Sequence, residues 1–146
     1  MTKFFTRKEF AEAADFIRSR TEYEPTIGLI LGTALNPLAE EIQAATVIPY
    51  SDIPHFPPAT VEGHVGRLII GELEGQEILV MQGRAHYYEG YSPQHIVLPI
   101  RAMQLLDIGI LIVTNAAGGL NPAFRAGDLM LITDHINLIG MAGLNP

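Results

Sequence analysis

The 146-residue chain contains no cysteine. That excludes disulfides and thiolate metal sites and makes a cytoplasmic protein the default expectation. Positive charge is also scarce. Five of the nine Lys and Arg residues fall in the first twenty positions, and after Arg20 only Arg67, Arg84, Arg101 and Arg125 remain against thirteen Asp and Glu. A duplex-binding surface needs many cations to neutralise phosphates, so no nucleic-acid partner is expected. A small anion needs only one or two well-placed donors, which raises interest in each remaining arginine. Long apolar runs are missing as well. None reaches the ~18 residues of a membrane span, and Met1-Thr2-Lys3-Phe4-Phe5 leads into charges rather than a secretory core. Neither a membrane partner nor a secretory leader is expected.

What the chain does have is apolar residues, 48% of the total against 17% charged. Such a balance suits a sheet buried on both faces, a subunit interface, or both. Thr6-Arg7-Lys8-Glu9 has the capping-box pattern, and Phe10, Ala13, Ala14 and Ile17 follow at helical spacing, predicting a helix from Thr6 to about Arg20. Ile27 to Leu31 reads as a buried strand. It runs into Gly32-Thr33-Ala34-Leu35-Asn36-Pro37, where Asn36 suits an N-cap and Pro37 a first helical residue, with a helix on through Leu38, Ile42 and Ala44. Strand, glycine-containing turn and helix is an arrangement that aims backbone N–H groups at an anion, although an ordinary structural turn has the same signature.

Thr46 to Pro49 reads as a short strand, and the Pro-rich stretch from Asp52 to Gly63 as irregular. Within Glu62-Gly63-His64-Val65-Gly66, a histidine between glycines can approach a ligand closely, or can be an exposed loop residue. Val65 to Leu73 and Glu77 to Met81 flank Glu74-Gly75-Gln76 as a β-hairpin. The second strand delivers Gln82-Gly83-Arg84-Ala85-His86-Tyr87-Tyr88-Glu89-Gly90-Tyr91, which gathers a guanidinium, an imidazole, three phenols and a carboxylate at a strand end. This composition fits a ligand loop, and also a polar loop whose aromatics fold back on the core. Ser92-Pro93 starts a helix reaching Leu106, with Met103 in the core and Pro99 kinking or dividing it.

Ile110 to Val113 suits a central strand, ending at Thr114-Asn115-Ala116-Ala117-Gly118-Gly119-Leu120-Asn121-Pro122. Small residues and paired glycines there permit backbone contact with a ligand or tight chain packing. Leu129 to Ile132 reads as a further strand. The expected fold class is α/β, with a mixed, largely parallel central sheet flanked by helices. The last residues, Gly143-Leu144-Asn145-Pro146, bring no closing element, and the domain reads as incomplete.

Four stretches in order, Thr60 to Leu68, Met81 to Tyr91, Val113 to Pro122, and Gly127-Asp128 through Asp134-His135-Ile136-Asn137, resemble the trimeric purine nucleoside phosphorylases. The resemblance covers essentially the whole chain, which is similar to the N-terminal half of that family's single domain. It implies phosphorolysis of purine ribonucleosides or deoxyribonucleosides to the free base and the sugar 1-phosphate, with no metal, no organic cofactor and a homotrimeric assembly. It also implies site roles. Thr33, His64, Arg84, His86 and the backbone at Ala116 form the phosphate site, His86 serves catalysis, and Tyr88 contacts the ribose. Glu89 is structural, orienting or pairing with a neighbour, and Asn115 and Asn121 shape their loop.

Two departures stand out. The family's first turn is Gly-Ser-Gly-Leu-Gly, whereas Gly32-Thr33-Ala34-Leu35-Asn36 replaces two glycines, making positive φ costly at Ala34 and, less so, at Asn36. The family's purine-reading residues belong to its other half. Two alternatives therefore stand beside the phosphorylase reading: a truncated, non-catalytic chain that retains a phosphate pocket or associates with full-length subunits, and a methylthioadenosine phosphorylase.

Overall fold

The structure is a computed structural model that describes residues 4–58, 65–141 and 143. His64 lies outside them. Helix α1 (Arg7–Arg18) opens on the capping box expected at Thr6. The Glu9 carboxylate accepts from the Thr6 hydroxyl at 2.6 Å and from the Thr6 amide at 2.8 Å. These bonds, the hydroxyl's first, lower the Glu9 pKa from 4.5 to about 2.

Five strands follow: β1 (Ile27–Leu31), β2 (Gln43–Pro49), β3 (Arg67–Leu73), β4 (Gln76–Gln82) and β5 (Ile110–Val113). They form one sheet in the order β2-β3-β4-β1-β5. The sheet is mixed. β1 lies parallel to both β4 and β5, while β2-β3 and β3-β4 are antiparallel. The β3-β4 hairpin has the expected tight turn at Glu74-Gly75, with Leu73 paired to Gln76.

Alternation along the strands divides the core in two. Ile30, Leu68, Ile70, Leu79 and Met81 point to the face covered by Ala13 and Ile17 of α1 and by Leu98, Ala102 and Met103 of helix α2 (Pro93–Leu105). Leu29, Leu31, Ile69, Ile78 and Val80 point to the other face, against Ala39 and Ile42. Fully burying each such aliphatic side chain contributes about 1.5–3 kcal/mol before entropy is charged against it. Both faces of the central strands are therefore occupied, while Ile110 to Val113 and Leu129 to Ile132 leave apolar surface exposed. Met103 is in the core as expected, and α2 runs undivided through Pro99.

Three expectations are corrected. The segment after β1 is a 3-10 helix, Thr33–Glu41, capped by Gly32 rather than an α-helix starting at Asn36. The i to i+3 bond from the Leu35 amide to the Gly32 carbonyl starts it early. Pro37 then falls inside the turn, where it has no N–H to give an α-helical ladder. Leu129 to Ile132 is irregular and exposed, Leu129 at 97%. An apolar run without a partner strand has no ladder to satisfy its backbone, and β-propensity alone does not create one. Ile110 to Val113 forms the edge strand β5, with all four residues exposed, rather than a central strand. In addition, a short helix α3 (Leu138–Met141) stands near the end of the chain.

Close packing sets the β2-β3 pairing. A Cβ at Gly71 of β3 would stand 2.6 Å from the Gln43 carbonyl oxygen and 3.1 Å from the Ala45 Cα. This is where the β2-β3 register shifts between Gln43 and Thr46. Among the described residues no helix is long and apolar enough to cross a membrane.

Candidate active site

Because β1, β4 and β5 are parallel, their carboxyl ends share one edge of the sheet. In open α/β sheets that edge is where ligands bind. Three of the predicted ligand loops leave these ends. The Thr33 turn follows β1, Arg84 and His86 follow β4, and Ala116 follows β5.

Thr114 ties the three ends together. Its hydroxyl accepts the Gly32 amide at 2.8 Å and donates to the Ile30 carbonyl at 2.9 Å. Its own amide donates to the same carbonyl at 3.1 Å. Its carbonyl accepts Nη1 of Arg84 at 2.6 Å. The guanidinium is thereby held against the backbone two residues before Ala116. Asn115 Nδ2 donates to the Ala116 carbonyl at 3.2 Å, and Asn121 Oδ1 accepts the Ala123 amide at 3.0 Å. Both asparagines shape the loop as expected.

The Gly32 turn settles the first departure from the family pattern. Positive φ at described non-glycine residues occurs at Ala44, His55, Glu74 and Asp107, not at Ala34 or Asn36. Winding the turn as a 3-10 helix removes the need for the two missing glycines. Gly32 packs closely on the β5 end: a Cβ there would stand 3.3 Å from the Thr114 carbonyl oxygen, a tight approach, and 3.5 Å from the Asn115 Cα, an ordinary contact.

After β4, His86 caps the short 3-10 turn Tyr87–Glu89. The Glu89 carboxylate accepts from the His86 amide at 2.6 Å and lies 2.7 Å from its Nδ1. Glu89 and His86 thereby form a capping box, the carboxylate accepting the His86 amide and the imidazole facing the Glu89 backbone amide. Glu89 is an orienting residue, as the sequence suggested. The Tyr88 ring stacks on the His86 ring, with centroids 4.8 Å apart and planes 19° apart, and Tyr88 is 74% exposed. An exposed phenol on an oriented imidazole is suited to meeting a polar ligand.

The structure thus gathers the Thr33 backbone, Arg84, His86, Tyr88 and Ala116 at one edge. The predicted His64 is outside the described residues, but the nearby Gly66 amide donates to the Gln82 carbonyl at 2.9 Å, so the approach to β3 reaches the same edge. Three residues that support the edge were not assigned a role from the sequence. Thr114 at a strand end looks like an ordinary strand residue. Tyr50 is buried and donates its hydroxyl to the Gly83 carbonyl at 2.7 Å, fixing the start of the ligand loop, and burial pushes its phenol pKa up. Gln82, 3% exposed, accepts Arg67 Nε at 2.6 Å and donates to the Asn36 carbonyl at 3.4 Å.

Two concavities lie away from this edge, one of about 350 Å³ beside α2 and β5 at Val97, Met103 and Leu111, another of about 750 Å³ at Phe5, Phe10 and Arg101. Neither contains a predicted site residue. Among the described residues no cluster of three or more His, Asp or Glu is arranged to hold a metal.

The mixed α/β sheet thus carries an arginine, a histidine held by a carboxylate and a tight glycine turn at its carboxyl edge. The chain belongs to the phosphorylase superfamily, whose family model matches residues 26–146. It is 55% identical over 134 residues to purine nucleoside phosphorylase 1 of Geobacillus stearothermophilus, covering 92% of this chain and 49% of that protein. It is 46% identical over 146 residues to the purine nucleoside phosphorylase of Rattus norvegicus, covering 100% of this chain and 50% of that one. The solved isoform 2 of purine nucleoside phosphorylase from Schistosoma mansoni, in complex with cytosine and ribose-1-phosphate, matches with a TM-score of 0.90 at 46% identity. That match covers 99% of this chain and 51% of the other. The chain spans about half the length of the relatives it matches.

Proposed function

We propose that this chain provides the phosphate and sugar side of a purine nucleoside phosphorylase. The observation that carries the reading is the convergence of the Gly32-Thr33 turn, Arg84 and the Ala116 loop on Thr114, at the carboxyl edge of three parallel strands. Similarity to proteins named purine nucleoside phosphorylase supplies the substrate class and favours it over methylthioadenosine.

In this reading inorganic phosphate is held by the Arg84 guanidinium, whose planar fork matches two phosphate oxygens. The backbone at Thr33 and Ala116, His64 and His86 add donors. A phosphate oxygen forms the new bond to C1′ as the bond from C1′ to the purine nitrogen breaks, and its electron pair leaves with the base. The dianion next to C1′ stabilises the oxocarbenium-like charge, so catalysis is positioning and electrostatics. His86, oriented by Glu89, donates to phosphate, and Tyr88 packs against the ribose. No metal or organic cofactor has a step to perform. A homotrimer and a cytoplasmic location complete the proposal, and residues beyond the matched half supply purine recognition.

The test is to incubate the purified protein with inosine, with and without phosphate, and resolve hypoxanthine by chromatography. Phosphate-dependent release of hypoxanthine together with ribose 1-phosphate is expected. Hydrolysis without phosphate, or a preference for methylthioadenosine, contradicts the reading. Absence of turnover with intact phosphate binding favours the non-catalytic alternative.

A further inference from the structure

We propose that Thr114 is a positioning residue that sets the phosphate-binding turn through its side-chain hydroxyl, an inference that rests on the functional reading above. From Gly109 to Leu138 Thr114 alone is not exposed. Its hydroxyl uses one oxygen in two directions, accepting from the Gly32 amide at 2.8 Å and donating to the Ile30 carbonyl at 2.9 Å. Both partners belong to the β1 end, so the hydroxyl fixes where the Thr33 turn starts relative to β5.

Its carbonyl does a second job from the same residue, holding Arg84 Nη1 at 2.6 Å. Two of the loops assigned to phosphate, the Thr33 turn and the Arg84 loop, are thus registered on one threonine. The occupied Gly32 amide is directed to Thr114, so an anion above the turn meets the N–H groups that follow Gly32. Backbone pairing alone does not give this registration. The Thr114 amide already bonds the Ile30 carbonyl at 3.1 Å, and it is the hydroxyl that adds the Gly32 link one step beyond the β1 strand. Valine has nearly the same shape and β-branching but neither donates nor accepts. Serine retains the hydroxyl without the methyl group.

The experiment compares wild type, Thr114→Val and Thr114→Ser in the full-length protein, measuring phosphorolysis with phosphate and nucleoside varied separately. Loss of hydroxyl bonding to a site-forming amide is expected to raise the phosphate KM about tenfold in Thr114→Val, with the nucleoside KM within about twofold of wild type. Thr114→Ser is expected to return the phosphate KM to within about threefold of wild type. An unchanged phosphate KM in Thr114→Val, a parallel rise in both KM values, or failure of serine to rescue overturns the assignment. If the valine variant does not fold, Thr114→Cys against Thr114→Ser makes the same comparison, the thiol being a poor donor and acceptor, with the same expected and contrary results. A wild-type protein without phosphate-dependent turnover overturns the functional reading itself, which distinguishes that failure from the failure of Thr114 alone.

Discussion

Glu89 grips His86 at two points, accepting the His86 backbone amide at 2.6 Å and standing 2.7 Å from the imidazole Nδ1. The carboxylate fixes both the turn and the ring, while Tyr88 stacks on the ring from 4.8 Å. Glu89→Gln retains the shape but replaces a charge-assisted acceptor with a neutral amide. Phosphorolysis by the full-length protein is expected to fall about tenfold, in line with the greater strength of charge-assisted bonds. Initial-rate measurements check this, and an unchanged kcat/KM for phosphate contradicts it.

The Thr6–Glu9 capping box gives a prediction in acid. The Glu9 pKa is lowered from 4.5 to about 2 in the folded chain, chiefly by the Thr6 hydroxyl and then its amide. A depressed carboxylate stabilises the fold at pH above the unfolded value and loses that contribution as pH falls from about 4.5 toward about 2. Carboxyl NMR titration is expected to show Glu9 ionised through most of this window in wild type. In Thr6→Ala its midpoint is expected to move back toward 4.5. Identical midpoints in the two proteins contradict the assigned cause.

Tyr50 supports the ligand loop from beneath. Its buried hydroxyl donates to the Gly83 carbonyl at 2.7 Å, and burial keeps the phenol protonated and able to donate across ordinary pH. Tyr50→Phe leaves that carbonyl without this donor and is expected to cost about 1–2 kcal/mol in urea unfolding. A loss below about 0.3 kcal/mol shows the bond to be dispensable, since a typical net hydrogen bond contributes about 0.5–1.5 kcal/mol.

Gly71 has no room for a side chain. An added Cβ lies 2.6 Å from the Gln43 carbonyl oxygen, an atom of backbone that moves only if β2 moves. Gly71→Ala is expected to destabilise the fold by about 1–3 kcal/mol, the usual cost of overpacking. Chemical denaturation checks this, and wild-type stability in the alanine variant contradicts the tight β2-β3 approach.

Much of this was legible in the chain because local chemistry and periodicity agreed. Thr6 and Glu9 declare a helix start, Ser92-Pro93 declares another, and Glu74-Gly75 joins two apolar runs as a hairpin. Loops at strand ends could be named as candidate sites because Arg84, His86 and Tyr88 are unusual together. What escaped depended on contacts across the chain. The 3-10 winding of Thr33–Glu41 follows from an early Gly32-to-Leu35 bond and from Pro37's missing donor, and helical spacing carries no sign of that bond. Leu129 to Ile132 has strand composition but no strand beside it. Thr114 and Tyr50 matter through partners 82 and 33 residues away, Gly32 and Gly83, so no local pattern could single them out.

The central claim is that Arg84, anchored on the Thr114 carbonyl at 2.6 Å, holds phosphate at the carboxyl edge of the sheet. Its most direct test is the phosphate saturation curve of full-length Arg84→Lys and Arg84→Ala. A lysine keeps charge but loses the planar fork that can reach both the carbonyl and an anion, so the phosphate KM is expected to rise about tenfold or more in both variants, with the nucleoside KM little changed. Wild-type phosphate saturation in both variants would contradict the account.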